Sequence, residues 1–140
     1  MAEYVNFHFD IDGENFTSAG EASVRIKKNL REMGFSPEII RRVSVAMYEG
    51  EINMVIHANG GTADVNIFFD HIDIILADKG PGISDIELAM QEGYSTAPED
   101  VRSLGFGAGM GLPNMKRYTD DMKIESQVGV GTTIYMTVLV

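Results

Sequence analysis

The chain has 140 residues, 44% hydrophobic and 23% charged, enough for one sizeable core and too few for two. Eleven Lys and Arg against 21 Asp and Glu give a formal charge of −10, which disfavours a nucleic-acid partner, because phosphate binding rests on Lys and Arg. There is no cysteine, so disulfides, thiolate metal sites and Cys nucleophiles are excluded. No apolar run approaches the roughly 20 residues of a membrane helix, and the N-terminus lacks the basic-then-apolar order of a secretory signal. The expectation is a soluble, cytoplasmic chain folded as one domain over residues 1–140, with no membrane partner.

Val5, Phe7, Phe9 and Ile11 alternate with Asn6, His8 and Asp10, a half-buried strand ended by Asp12-Gly13. Ser18 and Glu21 have capping-box spacing. The helix they predict carries Ala22, Val24, Ile26 and Leu30 and stops near Gly34. Ser36-Pro37-Glu38 opens a second helix with Pro at its first position. Ile40, Val43, Met47 and Met54 give it an apolar side to about His57, and Asn59-Gly60-Gly61 breaks it. Two strands follow at 63–69 and 71–77, with Asp70-His71 as the turn. Residues 78–111 are Gly-rich and hold only a short helix candidate at 86–91. So loose a stretch inside a compact domain is usually functional, often a lid. A helix at 112–118 and strands at 122–126 and 132–140, joined at Val128-Gly129, complete the chain. Helices grouped between strand pairs predict an α/β (α+β) two-layer sandwich, a mixed sheet with helices on one face.

Four segments carry chemistry. On the second helix, Glu49, Asn53 and His57 are spaced i, i+4, i+8 and share one face. Such a stripe is ordinarily a solvated surface. Here it interrupts the apolar run Ile52, Met54, Val55, Ile56, and Asn is a mediocre helix former. An amide oxygen suits a hard cation such as Mg²⁺. A Glu one turn earlier can take a proton from an attacking hydroxyl. His57 reads more simply as a structural helix-end residue.

Asp78-Lys79-Gly80-Pro81-Gly82-Ile83 follows a strand directly. It is either a strand-ending turn or a place where Asp78 accepts a hydrogen bond from an exocyclic amine. In the second case Gly80 and Gly82 let backbone approach a flat ring. Gly105, Gly107, Gly109 and Gly111 alternate through Phe106, Ala108 and Met110 ahead of Leu112. Packing alone explains these glycines poorly, since each raises the cost of ordering the chain. A loop closing over phosphates at a helix start accounts for them. Neither the Walker spacing nor G-x-G-x-x-G is present. Last, Gly131-Thr132-Thr133 opens the final strand. It is a hairpin turn or, through the Thr132 hydroxyl, part of a pocket floor.

In combination, E-x-x-x-N on a helix, D-x-G-x-G-I after a strand, G-x-G-x-G-L before a helix and G-T before the last strand resemble the Bergerat ATP-binding (GHKL) superfamily. The resemblance runs from the first strand to Val140. It is nearest to the stand-alone serine kinases of bacterial partner switching, the anti-sigma-factor kinases and switch-protein kinases. His57-Ala58-Asn59-Gly60-Gly61, the glycine-rich end of the lid through Pro113, Lys116-Arg117 and Asp120-Asp121 are closer to the switch-protein branch. Gly50 and Glu51 depart from the small apolar residues usual there, and Gly50 costs the helix about 1 kcal/mol relative to Ala.

The resemblance implies an ATP- and ADP-binding, Mg²⁺-dependent serine/threonine kinase acting on a STAS-type antagonist protein. Asn53 would hold Mg²⁺ and Glu49 would be the catalytic base. Asp78 and Thr132 would read adenine. Gly80, Gly82, Ile83, Gly107, Gly109, Met110, Gly111 and Leu112 would wall the nucleotide, and Arg102 would reach the γ-phosphate. A sigma factor, a phosphatase and a second copy of the chain are further expected partners. The alternatives are an anti-sigma factor and a non-catalytic, nucleotide-gated binding module.

Overall fold

A computed structural model describes residues 3–13, 20–58, 60–83, 86–90 and 111–140. Strand β1 (Val5–Asp12) is followed by helices α1 (Glu21–Glu32) and α2 (Pro37–Ala58) and strands β2 (Gly60–Ile67) and β3 (His71–Ala77). The short α3 (Ile86–Ala89), α4 (Gly111–Arg117) and the hairpin of β4 (Asp121–Gln127) and β5 (Gly131–Leu139) come last. The strands form one sheet in the order β1-β2-β3-β5-β4. Among the described residues, no helix is long and apolar enough to cross a membrane.

The two-layer arrangement is as expected. Ile26 and Leu30 of α1, Val43 and Met47 of α2 and Met115 of α4 share one core with Val65, Ile74, Leu76 and Met136 of the sheet. The outer sheet face is polar, and on it His8 Nδ1 lies 2.7 Å from Asp64 Oδ1. That bond, with a second to Asp10, raises the His8 pKa.

One expectation needs correction. All four described strand pairings are antiparallel, so the sheet is not mixed. The helical connection after β3 suggests a crossover to a parallel neighbour. It does deliver β4 in the same direction as β3, but β5 folds back from β4 and lies between them.

The expected Ser18 cap lies outside the described residues. Helix α1 starts at Glu21 behind Gly20, whose φ of 99° is left-handed and which offers no side-chain cap. The cap comes instead from Glu51 of α2. Its Oε2 accepts from the backbone N–H of Gly20 at 2.9 Å and Ala22 at 3.3 Å, and its Oε1 from Ser23 at 2.6 Å. Three otherwise unpaired helix-start donors are satisfied by one carboxylate at the positive end of the helix dipole. Glu51 is only 1% exposed. Burial pushes its carboxyl pKa up, and the three N–H groups draw it back. The turn set by Gly20 moves the helix start inward, and Val24, expected on the apolar side, is exposed.

Gly50 has an equally local cause. A Cβ there would overlap Leu76 Cδ1, and Leu76 is a buried core residue of β3. The helix accepts a weak helix former so that its backbone can sit directly on the sheet. Strand β2 begins at Gly60, earlier than expected, because Gly60 and Gly61 pair with Asp12 and Ile11. The β2–β3 turn lies at Phe69-Asp70, closed by Phe68 N–H to His71 O at 2.9 Å, and His71 already belongs to β3.

Candidate functional site

Helix α2 presents Glu49, Asn53 and His57 on one side, all half-buried. Helix α4 lies across this stripe. Gly111, its first residue, faces Asn53 so closely that a Cβ would sit 3.0 Å from both Nδ2 and Oδ1 of the amide. One turn on, Asn114 Nδ2 donates to Glu49 Oε1 at 3.3 Å. Burial raises the Glu49 carboxyl pKa, and the Asn114 bond partly offsets this. A carboxylate whose pKa is raised by burial holds a proton more readily than an exposed one. Burial also lowers the His57 pKa, as suits a neutral structural imidazole.

The D-x-G-x-G segment meets the end of α2. A Cβ on Gly80 would fall 2.6 Å from Ala58 Cβ, so the loop packs directly on the C-terminal end of α2. Asp78 Oδ1 accepts from Gly80 N–H at 2.9 Å and Thr132 N–H at 3.2 Å. These two donors fix the carboxylate plane. Oδ2 has no hydrogen bond from the described residues and remains an acceptor for a ligand.

Ser126 of β4 completes this corner. Its Oγ accepts from Ile83 N–H at 2.7 Å and lies 2.8 Å from Thr132 Oγ1. The loop is thereby clasped to the β4–β5 hairpin, and Gly129 N–H to Pro81 O at 2.9 Å adds a second clasp.

Gly82 is where this loop demands glycine. Its φ is +80°, and a Cβ would meet Gln127 O at 2.5 Å and Val128 Cα at 2.9 Å. Neither neighbour is a side chain that can swing away. Gly82→Ala should cost about 2 kcal/mol through left-handed strain and displaced backbone. The expected result is a lower urea midpoint at an unchanged m-value. An unchanged midpoint would refute this account of the loop.

The structure thus brings Glu49 and Asn53 of α2 against Asn114 and Gly111 of α4, and Asp78, Gly80, Gly82 and Ile83 against the β4–β5 hairpin with Thr132. Leu112 differs, since its side chain is buried in the hydrophobic core. Arg102, Gly107, Gly109 and Met110 lie outside the described residues, as does most of the expected lid. Sequence reasoning missed Ser126 and Asn114. Ser126 was within reach, since a register set by the Val128-Gly129 turn pairs it with Thr132. Asn114 stands three residues beyond Gly111, one helical turn along the same side.

Residues 15–138 match the family model described as a histidine kinase-like ATPase domain, and the chain belongs to that family, a nucleotide-binding one. Its relatives narrow the group. The chain is 33% identical over 108 residues to the serine/threonine-protein kinase RsbT of Bacillus subtilis, covering 74% of this chain and 75% of that one. It is 37% identical over 118 residues to the serine-protein kinase RsbW of Oceanobacillus iheyensis, covering 79% and 73%. It is 30% identical over 143 residues to the anti-sigma F factor of Bacillus licheniformis, covering 98% and 92%.

Within its family the chain therefore belongs with the ATP-dependent serine/threonine kinases and anti-sigma factors of partner switching. The solved RsbU and RsbW domains of a Mycobacterium tuberculosis protein share the fold, with a TM-score of 0.65 at 16% identity over 96% of this chain. This chain spans 32% of that one. A SiaB-SiaC complex from Pseudomonas aeruginosa also shares the fold, with a TM-score of 0.58 at 11% identity and coverage of 96% and 89%.

Proposed function

We propose that the chain transfers the γ-phosphoryl group of ATP to a Ser or Thr of a STAS-type antagonist protein. The carrying observation is the half-buried Glu49, raised in pKa by burial and held by Asn114 one helical turn from Asn53. Binding a nucleotide needs no such base, whereas transfer to a protein hydroxyl uses one. Phosphoryl transfer otherwise needs mainly positioning and charge neutralisation.

The residues divide the work as follows. Asp78 Oδ2 accepts a hydrogen bond from the adenine amine, and Gly80 and Gly82 keep side chains away from the ring. Asn53 fits a Mg²⁺ ligand. It offers a hard oxygen, and Gly111 leaves the space in front of its amide without a side chain. No group of three His, Cys, Asp or Glu among the described residues could hold a metal. Asn53 would hold a Mg²⁺ ion together with phosphate and water oxygens, the habit of that cation in phosphate sites, and the ion would neutralise phosphate charge. Glu49 takes the proton of the attacking hydroxyl as its oxygen bonds to the γ-phosphorus and the bond to ADP breaks. Arg102, Gly107, Gly109 and Met110 complete the proposed nucleotide-binding set and lie outside the described residues.

This reading takes residues 1–140 as one domain working in the cytoplasm, with a sigma factor, a phosphatase and a second copy as further partners. The direct test is incubation of the purified chain with labelled ATP and the STAS protein encoded nearest to it. Label on a Ser or Thr of that protein is expected. Binding of both ATP and partner without transfer would favour the nucleotide-gated binding module. Asp78→Asn should weaken ATP binding about 10- to 100-fold in calorimetry, since an amide presents a donor where the adenine amine needs an acceptor. Unchanged affinity would remove Asp78 from base recognition.

A further inference from the structure

The corner beneath Asp78 holds two hydroxyls whose hydrogen-bond direction bears on base recognition. Among the described residues, Ser126 Oγ has three hydrogen-bond partners. Ile83 N–H can only donate to it, at 2.7 Å. Gly131 O, at 3.3 Å, can only accept. Thr132 Oγ1, at 2.8 Å, can do either. A hydroxyl has one proton to give, and 3.3 Å is long for an O–H···O bond, whose usual length is about 2.7–2.8 Å. A ligand acceptor beside Thr132 Oγ1 draws the Thr132 proton outward, and the Ser126 proton then turns from Gly131 O to Thr132 Oγ1.

Among the described residues, Ser126 is the only hydrogen-bond partner of that oxygen, so the Thr132 proton is left to give to a ligand. Thr132 N–H is bonded to the Asp78 carboxylate, which places the donor beside the acceptor.

We propose that Ser126 is a specificity-determining positioning residue. It fixes Thr132 as a donor through the chain Ile83 N–H to Ser126 O–H to Thr132 O–H, so the corner offers one acceptor, Asp78, beside one donor, Thr132. Adenine presents the matching pair, an amine donor beside the unprotonated N1 acceptor. Guanine presents a carbonyl and a protonated N1, the reverse at both places. The inference rests on the nucleotide-site reading above and goes beyond it, because Ser126 itself touches no ligand. Hydrogen bonds in such a chain polarise and strengthen one another.

The test compares ATP with 1-deaza-ATP, which has C–H in place of N1, by calorimetry on the full chain. Wild type should bind 1-deaza-ATP about tenfold more weakly, the worth of one buried hydrogen bond. Ser126→Ala should bind ATP about tenfold more weakly and discriminate between the two ligands by less than about twofold. Ser126→Thr, which keeps the hydroxyl, should restore both affinity and discrimination. A merely structural role for Ser126 would weaken both ligands equally and leave the ratio intact.

If Ser126→Ala does not fold, Ser126→Cys, nearly the same size but a weak donor, carries the same comparison. Full discrimination in the folded Ala or Cys variant overturns the inference, as does wild type that binds ATP but treats the two ligands alike. Wild type that binds neither ligand overturns the nucleotide-site reading itself, and the inference with it.

Discussion

Glu49→Gln should keep near-normal Mg·ATP affinity and lose phosphoryl transfer by about 10²- to 10⁴-fold, the usual worth of a general base. Gln preserves the size of the side chain and an oxygen for Asn114 Nδ2, so the contact between α2 and α4 survives. Only the capacity to take a proton goes. Because burial raises the Glu49 pKa, the carboxylate form is gained as pH rises through that raised value. Transfer under kcat/KM conditions should therefore climb with pH on its acid side, and the variant should lose that limb.

The stability sign runs the other way. A carboxyl whose pKa is raised in the folded state contributes stability that is present below the unfolded value and lost as pH rises through the folded one. Glu49→Gln should thus be no less stable than wild type at neutral pH, which separates lost chemistry from lost fold. Asn53→Ala, by contrast, should weaken both ATP binding and transfer. Single-turnover assays in which Glu49→Gln transfers at the wild-type rate would take Glu49 out of the mechanism.

What sequence could reveal here follows from the range of the interactions. The period-2 and period-3.6 patterns report each element's own buried face, so β1, α2, β3 and the last hairpin were legible within a few residues. The four glycine- and carboxylate-bearing segments were legible as well, because each is contiguous. Pairings between distant segments were not. The antiparallel sheet depends on β5 inserting between β3 and β4, which no local pattern encodes. The Asn114–Glu49 contact joins residues 65 apart. Gly50 was visible as an anomaly, but its reason is a leucine on β3. Glu51 gave a misleading signal, a charge inside an apolar stretch, because the donors it serves belong to another helix.

Those donors make Glu51 a buried group whose removal should cost the fold heavily. Glu51→Leu removes the acceptor for three backbone N–H groups at the start of α1, in a place only 1% exposed. Water does not easily take over, and each unsatisfied buried donor costs about 1–3 kcal/mol. Part of this is offset, because the variant no longer desolvates a carboxylate. The expected net loss is about 3 kcal/mol in urea denaturation. Glu51→Gln keeps one acceptor oxygen but turns an NH₂ toward N–H donors, and should fall between wild type and Leu.

The loss should also be local in its first effect. The amides of Gly20, Ala22 and Ser23 should lose hydrogen-exchange protection before the sheet does, because their bonds are the ones removed. Since Glu51 stands between Glu49 and Asn53, its anchorage to α1 also braces the helical turn that carries both. Glu51→Leu with wild-type stability and unchanged protection at these three amides would show that α1 is held by its apolar face alone.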